Sequence, residues 1–162
     1  MPPCTGDYNI IKDNRCPNSG KKELSFCIFS GKACTRLACI LLGYLFGSFL
    51  TAEVVARVVS GKSARQLGTG NPGMANIMAQ LGKGAGLLTL AGDTLKTVAA
   101  CGAAYYAAAP LIGQASILYA GLGAVLGHNY PAWARFRGGL GVAVTCVWLV
   151  LYLPFLGTLC CI

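Results

Sequence analysis

Charge is what this sequence has least of. Only 11% of its 162 residues are Asp, Glu, Lys or Arg, and just 5 of them are acidic, whereas a soluble domain carries about 25%. With 55% hydrophobic residues and a mean hydropathy of +0.60, the chain has too little polar material to coat a soluble globule, and it is read as a membrane protein. It also lacks a basic stripe interleaved with aromatics, which weighs against a nucleic-acid partner. The nine cysteines contain no Cys-x-x-Cys pair, so neither a metal site nor a disulfide framework is expected. Five of them lie in or beside apolar runs, where cysteine acts as a small hydrophobe. Residues 1–33 lack the apolar core and the small-residue cleavage site of a signal peptide, and read as a basic, poorly ordered tail.

What the sequence does have is long apolar runs. Residues 37–56, 84–109, 111–127 and 140–162 make four candidate spans, the third near the lower length limit and the second ended by Pro110. A short helix is expected at Met74–Leu81 between the first two. The fold class is therefore all-α, a polytopic transmembrane helix bundle of about four spanning helices with one short interfacial helix, occupying residues 34–162. Two spans separate the polar loop 57–83 from the polar loop 128–139, so both loops fall on one face of the membrane. They hold Arg57, Lys62, Arg65, Lys83, Arg135 and Arg137, while the connection around Pro110 to Ser116 is uncharged. The basic tail argues the other way, but the loops place this face in the cytoplasm of a multi-pass plasma-membrane protein.

Three groups of residues carry candidate chemistry. The stretch Gly68-Thr69-Gly70-Asn71-Pro72-Gly73 offers bare backbone N–H groups of the kind that cradle phosphate, with Asn71 and Asn76 as side-chain donors and a helix N-terminus opening near Pro72. The same glycines also suit a tight turn between two membrane helices. Asp93 and Lys96 lie about ten residues into the second span, three apart and so on one helix face. Ionised groups at that depth cost about 3 kcal/mol each unless paired or facing a polar cavity, so they mark either a functional site or a buried structural pair. His128, the one histidine, heads His128-Asn129-Tyr130-Pro131 ahead of Arg135, Arg137, Gly138 and Gly139. It is either an interfacial anchor or a group able to take a proton from a hydroxyl. Tyr130 and Trp133 suit an interfacial aromatic belt.

Taken together, Gly68 to Asn76, Leu81 to Lys96, and Gly127-His128-Asn129-Tyr130-Pro131 through Phe136-Arg137-Gly138-Gly139 resemble the motifs of the bacterial acyl-phosphate:glycerol-3-phosphate acyltransferases. Gly47-Ser48 resembles the family's first motif, and the likeness runs from about Leu41 to Val144. The resemblance implies an enzyme of phospholipid biosynthesis that transfers a fatty acyl group from acyl phosphate to the 1-hydroxyl of sn-glycerol 3-phosphate, giving lysophosphatidic acid and phosphate. It implies these two substrates and membrane lipids as partners, with no cofactor. His128, Lys96 and Asn71 are the implied catalytic residues. Ser48, Gly68, Gly70, Asn71, Gly73, Asn76, Asp93, Asn129, Arg135, Arg137, Gly138 and Gly139 are the implied substrate-binding residues. Acyl phosphate is already activated, so positioning, charge neutralisation and one proton acceptor suffice. That acceptor is either His128 or a phosphate oxygen of the substrate.

The chain departs from the family pattern in three places. Leu50 stands where the first motif has proline, and Leu140 where the third motif has lysine; the lost cation is worth about 1.5–3 kcal/mol at a phosphate site. Family members also continue for about two more spans beyond the position of Ile162. These departures suggest an alternative, a truncated and catalytically silent paralogue that binds lipid or a partner protein.

Overall fold

The computed structural model describes residues 18–161, whose regular elements are all helices, with no strand among them. The helices are α1 (Asn18–Gly47), α2 (Thr51–Ser60), α3 (Met74–Leu81), α4 (Lys83–Ile112), α5 (Ala115–Asn129), α6 (Val142–Tyr152) and α7 (Pro154–Cys161). Short 3-10 turns at Ala64–Gln66 and Ala132–Ala134 punctuate the two loops. Residues 1–17 of the expected tail lie outside the described residues. The division expected at residue 33 falls inside α1.

Small residues bring the helices together. A side chain added at Gly43 or Gly47 of α1 would run into the backbone of Ala120 or Ala124 of α5, and one at Gly123 or Gly127 would meet the backbone of Ile40 or Tyr44. Two Gly-x-x-x-Gly pairs thus clasp one another along parallel helices, the packing expected where lipid gives no hydrophobic drive and only close contact holds helices together. The buried core continues the theme with Ala100, Ala104, Ala108, Ala120 and Ala124, while Leu41, Leu45, Leu87 and Leu95 point outward, exposed. Helix α4 runs antiparallel to α1 and α5, and the α4–α5 hairpin turns at Gly113–Gln114. Both polar loops consequently lie at its opposite end.

The expected span boundaries need correction. Gly31–Ser60 and Lys83–Ile112 are long and apolar enough to cross a membrane, yet the first is broken at Ser48–Leu50 rather than continuous from 37 to 56. Leu50 is extended, with φ −91° and ψ 97°, so the break forms without a proline. Pro110 does not end α4, which continues to Ile112, because a proline in a last turn removes few helical bonds. The run 140–162 is not one span. Pro154 starts α7, and Leu153 before it is pushed to φ −130°, ψ 81°, out of the helical region. Gly157 of α7 then packs back onto the Leu149 carbonyl of α6. The 15 residues of α5 and the 11 of α6 are only about 22 and 16 Å long at 1.5 Å per residue.

Helix α3 has the bounds expected for the short helix, Met74–Leu81. It packs with α2 against the start of α4 through Ala52, Val55, Ala56, Ala64 and Ile77, forming a layer at the loop end of the bundle.

Candidate active site

Where α1 breaks, its freed carbonyls become part of the site. Phe49 turns its carbonyl inward to accept a hydrogen bond from Lys96 Nζ at 2.7 Å, and the Ser48 carbonyl accepts one from Trp133 Nε1 at 2.7 Å. Lys96 Nζ also lies 2.8 Å from His128 Nδ1 and 2.9 Å from Asp93 Oδ1. An ammonium has three protons to give, and here it meets three acceptors. The Asp93 contact is an ion contact more than an aligned hydrogen bond, since Oδ1 finds no well-directed donor. Asp93, Lys96 and His128 are 2%, 7% and 3% exposed. A charge pair this deep is tolerable because it is neutralised within a single turn of α4.

His128 sits at the end of α5, and the second loop packs over its ring. Gly138 and Gly139 donate their N–H groups to the carbonyls of Asn129 (2.9 Å) and His128 (3.1 Å). Any side chain at Gly139 would strike His128 Nε2; the second Gly of the motif is there to let the backbone cross the imidazole. The N–H groups of these two implied substrate-binding residues are thereby used within the loop. Arg135 and Arg137 are exposed, and Arg135 and Phe136 hold positive φ of 54° and 57°. Neither arginine lines the cavity described below.

The first loop is fastened at its end by Asn76. Its Oδ1 accepts from the Thr69 N–H at 3.1 Å, and its Nδ2 donates to the carbonyls of Leu67 (2.9 Å) and Asn71 (3.0 Å). Asn76 was expected as a donor to substrate; buried and with every polar atom engaged, it shapes the loop instead. Gly68 and Gly70 hold φ of 48° and 75°, which this curvature demands. Ser48, likewise expected at the substrate, turns its hydroxyl onto the Leu45 carbonyl at 2.8 Å and finishes α1.

A cavity of about 480 Å³ opens between the two loops, α3, α4 and α6. Asn71, Asp93 and His128 form its polar wall, and Gly73 and Met74 bring the N-terminus of α3 to its edge. Leu90, Leu140, Val142, Ala143, Cys146 and Val147 make the rest apolar. Asn71, Asp93, His128 and Gly73 thus share one cavity, while Lys96 stands one layer behind His128. The Oδ1 of Asn129 is buried without a partner beside Gly141. Leu140, where the sequence resemblance implies a lysine, is 74% exposed and lines the cavity. Sequence reasoning missed the Phe49 carbonyl, Cys146 and Tyr44, whose hydroxyl donates to the Tyr130 carbonyl (2.8 Å) and accepts from the Ala132 N–H (3.0 Å). No group of side chains able to hold a metal occurs among the described residues.

Fold and site together define an integral membrane helical protein with a charged cluster buried under an amphipathic cavity at one end of its bundle. The chain belongs to the glycerol-3-phosphate acyltransferase family, whose model matches residues 37–162. It is 42% identical over 113 residues to glycerol-3-phosphate acyltransferase 1 of Lactobacillus johnsonii, covering 70% of this chain and 54% of that one. It is 45% identical over 104 residues to the glycerol-3-phosphate acyltransferase of Rubrobacter xylanophilus, covering 64% and 50%. Its fold is similar to the crystal structure of PlsY (YgiH), an integral membrane glycerol 3-phosphate acyltransferase, in its glycerol 3-phosphate form. The TM-score is 0.65 at 32% identity, over 76% of this chain and 60% of that one. The lysophosphatidic acid form gives 0.62 at 31%. The chain spans about half the length of the curated relatives it matches.

Proposed function

We propose that this chain carries out acyl transfer from acyl phosphate to the 1-hydroxyl of sn-glycerol 3-phosphate, releasing inorganic phosphate and lysophosphatidic acid. The observation that carries this reading is the cavity itself, with Asn71, Asp93 and His128 on one wall and an apolar lining opposite. Such a space suits a molecule with an ionic head and a hydrocarbon tail. The hydroxyl oxygen attacks the acyl carbonyl carbon, the bond from that carbon to the phosphate oxygen breaks, and phosphate leaves with the electron pair.

The roles of the side chains follow from which atoms remain available. With Nδ1 accepting from Lys96, the imidazole proton resides on Nε2, so His128 is a donor toward phosphate or the developing oxyanion rather than a base. The hydroxyl proton then passes to a phosphate oxygen of the substrate. Lys96 acts through His128: its charged ammonium donates to Nδ1 and so fixes the tautomer that keeps the proton on Nε2. Asp93 keeps that charge in place. Asn71 and the N-terminus of α3 receive phosphate oxygens, with Arg135 and Arg137 as exposed cations of the second loop that attract anions from solution.

Membrane placement follows the same distribution. Arg57, Lys62, Arg65, Lys83, Arg135 and Arg137 sit at the loop end, whereas the Gly113–Gln114 turn is uncharged, which supports loops facing the cytoplasm of a multi-pass plasma-membrane protein. The test is direct. Purified protein in lipid vesicles should release phosphate from palmitoyl phosphate only when glycerol 3-phosphate is present; no release, or release independent of glycerol 3-phosphate, refutes the reading.

A further inference from the structure

Glu53 is the buried carboxylate that the reaction above does not use. It is 7% exposed, within the apolar layer of α2 and α3, yet both its oxygens are occupied. Oε1 accepts from Arg57 Nε at 2.8 Å, and Oε2 accepts from Ser63 Oγ and the Ala64 N–H, each at 3.0 Å. Ser63 in turn caps the Ala64–Gln66 turn, its N–H donating to Gln66 Oε1 at 3.1 Å. The glycine loop is therefore pinned at its start by Glu53 and at its finish by Asn76. From the pinned turn, Arg65 Nη2 reaches across to donate to the Arg137 carbonyl, directly before the Gly138–Gly139 pair that packs on His128.

A buried charge is rarely the most stabilising choice at such a position; well-packed apolar residues of similar volume serve stability as well or better. What a carboxylate adds is direction, because it fixes a hydroxyl, an N–H and a guanidinium at once. We propose that Glu53 is a positioning residue for anion binding: it sets the geometry of the first loop and, through Arg65, couples it to the second. This inference rests on the reading that the two loops hold phosphorylated substrate. Glu53 does not line the cavity and touches no reacting atom.

The experiment uses the full chain in lipid vesicles, with wild type, Glu53→Gln and Glu53→Ala compared. The carboxamide oxygen of glutamine can keep the Ser63 and Ala64 bonds and loses only the acceptor for Arg57. Glu53→Ala is expected to raise KM for glycerol 3-phosphate about tenfold with kcat within about threefold, and Glu53→Gln to restore most of the loss. A merely structural role would lower kcat in step with the folded fraction and leave KM alone, and either that outcome or an unchanged KM overturns the proposal. The same samples are digested with trypsin, which cuts after Lys62 and Arg65 irrespective of activity. Faster cleavage there in Glu53→Ala than in Glu53→Gln or wild type is expected, and equal rates overturn the proposal even if wild type proves to lack the transferase reaction.

Discussion

At the Gly113–Gln114 end, the α4–α5 hairpin is closed by Ala104, Ala108 and Ala120 against Cys39 of α1; at the loop end the same two helices meet through Lys96 and His128. One end uses the smallest side chains available, and the other buries ionisable groups. The first makes the second workable. Close contact of α1 with α5 at Gly43, Gly47, Gly123 and Gly127 delivers the Phe49 carbonyl to within 2.7 Å of Lys96 Nζ. A fraction of an ångström more between these helices would leave an ammonium short of an acceptor in a region where water cannot replace it.

The contrast yields graded expectations. The largest effect belongs to the charged end. Lys96→Met leaves Asp93 buried and unpaired, costing about 3–5 kcal/mol of stability and lowering kcat about a hundredfold or more. Adding Asp93→Asn should recover much of the thermal stability without recovering phosphate release; recovery of both would mean that the pair is structural. Next comes the small-residue end. Gly123→Val places new atoms on the Ile40 carbonyl and should cost about 1–3 kcal/mol, read as a lower thermal midpoint in detergent. Activity should fall by more than the folded fraction does, since Phe49 is displaced; a proportional fall would uncouple the two ends.

Smaller changes concern the cavity wall. Asn71→Ala should raise KM for glycerol 3-phosphate about tenfold by removing one hydrogen bond to an ionised group, with kcat little altered. Leu140→Lys adds a cation where the wall is now apolar and should lower that KM about threefold. An unchanged KM would indicate that the loop arginines already supply all the positive potential the substrate senses.

How much of this was visible in the sequence depended on whether the decisive contacts were local. The bounds of α3 could be read because Pro72-Gly73 and Gly82 bracket it, and the Asp93–Lys96 pair because three residues make one helix turn. Glu53 could have been placed by its four-residue spacing to Arg57 and by the capping box Ser63-Ala64-Arg65-Gln66, both local signals. The break at Ser48–Leu50 could not be foreseen in this way. No proline marks it, and its carbonyls find their partners on Lys96 and Trp133, 47 and 85 residues away. The same holds for Asn76, whose amide looks like any exposed donor until the loop has closed around it. The split at Pro154 was available to inspection and was hidden by the uniform hydropathy on either side.

The brevity of α5 has a consequence for the surrounding lipid. On the proposed placement, with the Gly113–Gln114 turn at the opposite interface, its roughly 22 Å falls short of the roughly 30 Å hydrocarbon slab, and His128 at its end then lies below the phosphate groups of an unperturbed leaflet. Either the leaflet dips toward the imidazole or water and headgroups follow the loops inward, and both responses cost less in a thinner bilayer. Turnover should accordingly depend on the tail length of the host lipids, with vesicles of shorter-chain phospholipids supporting the faster rate.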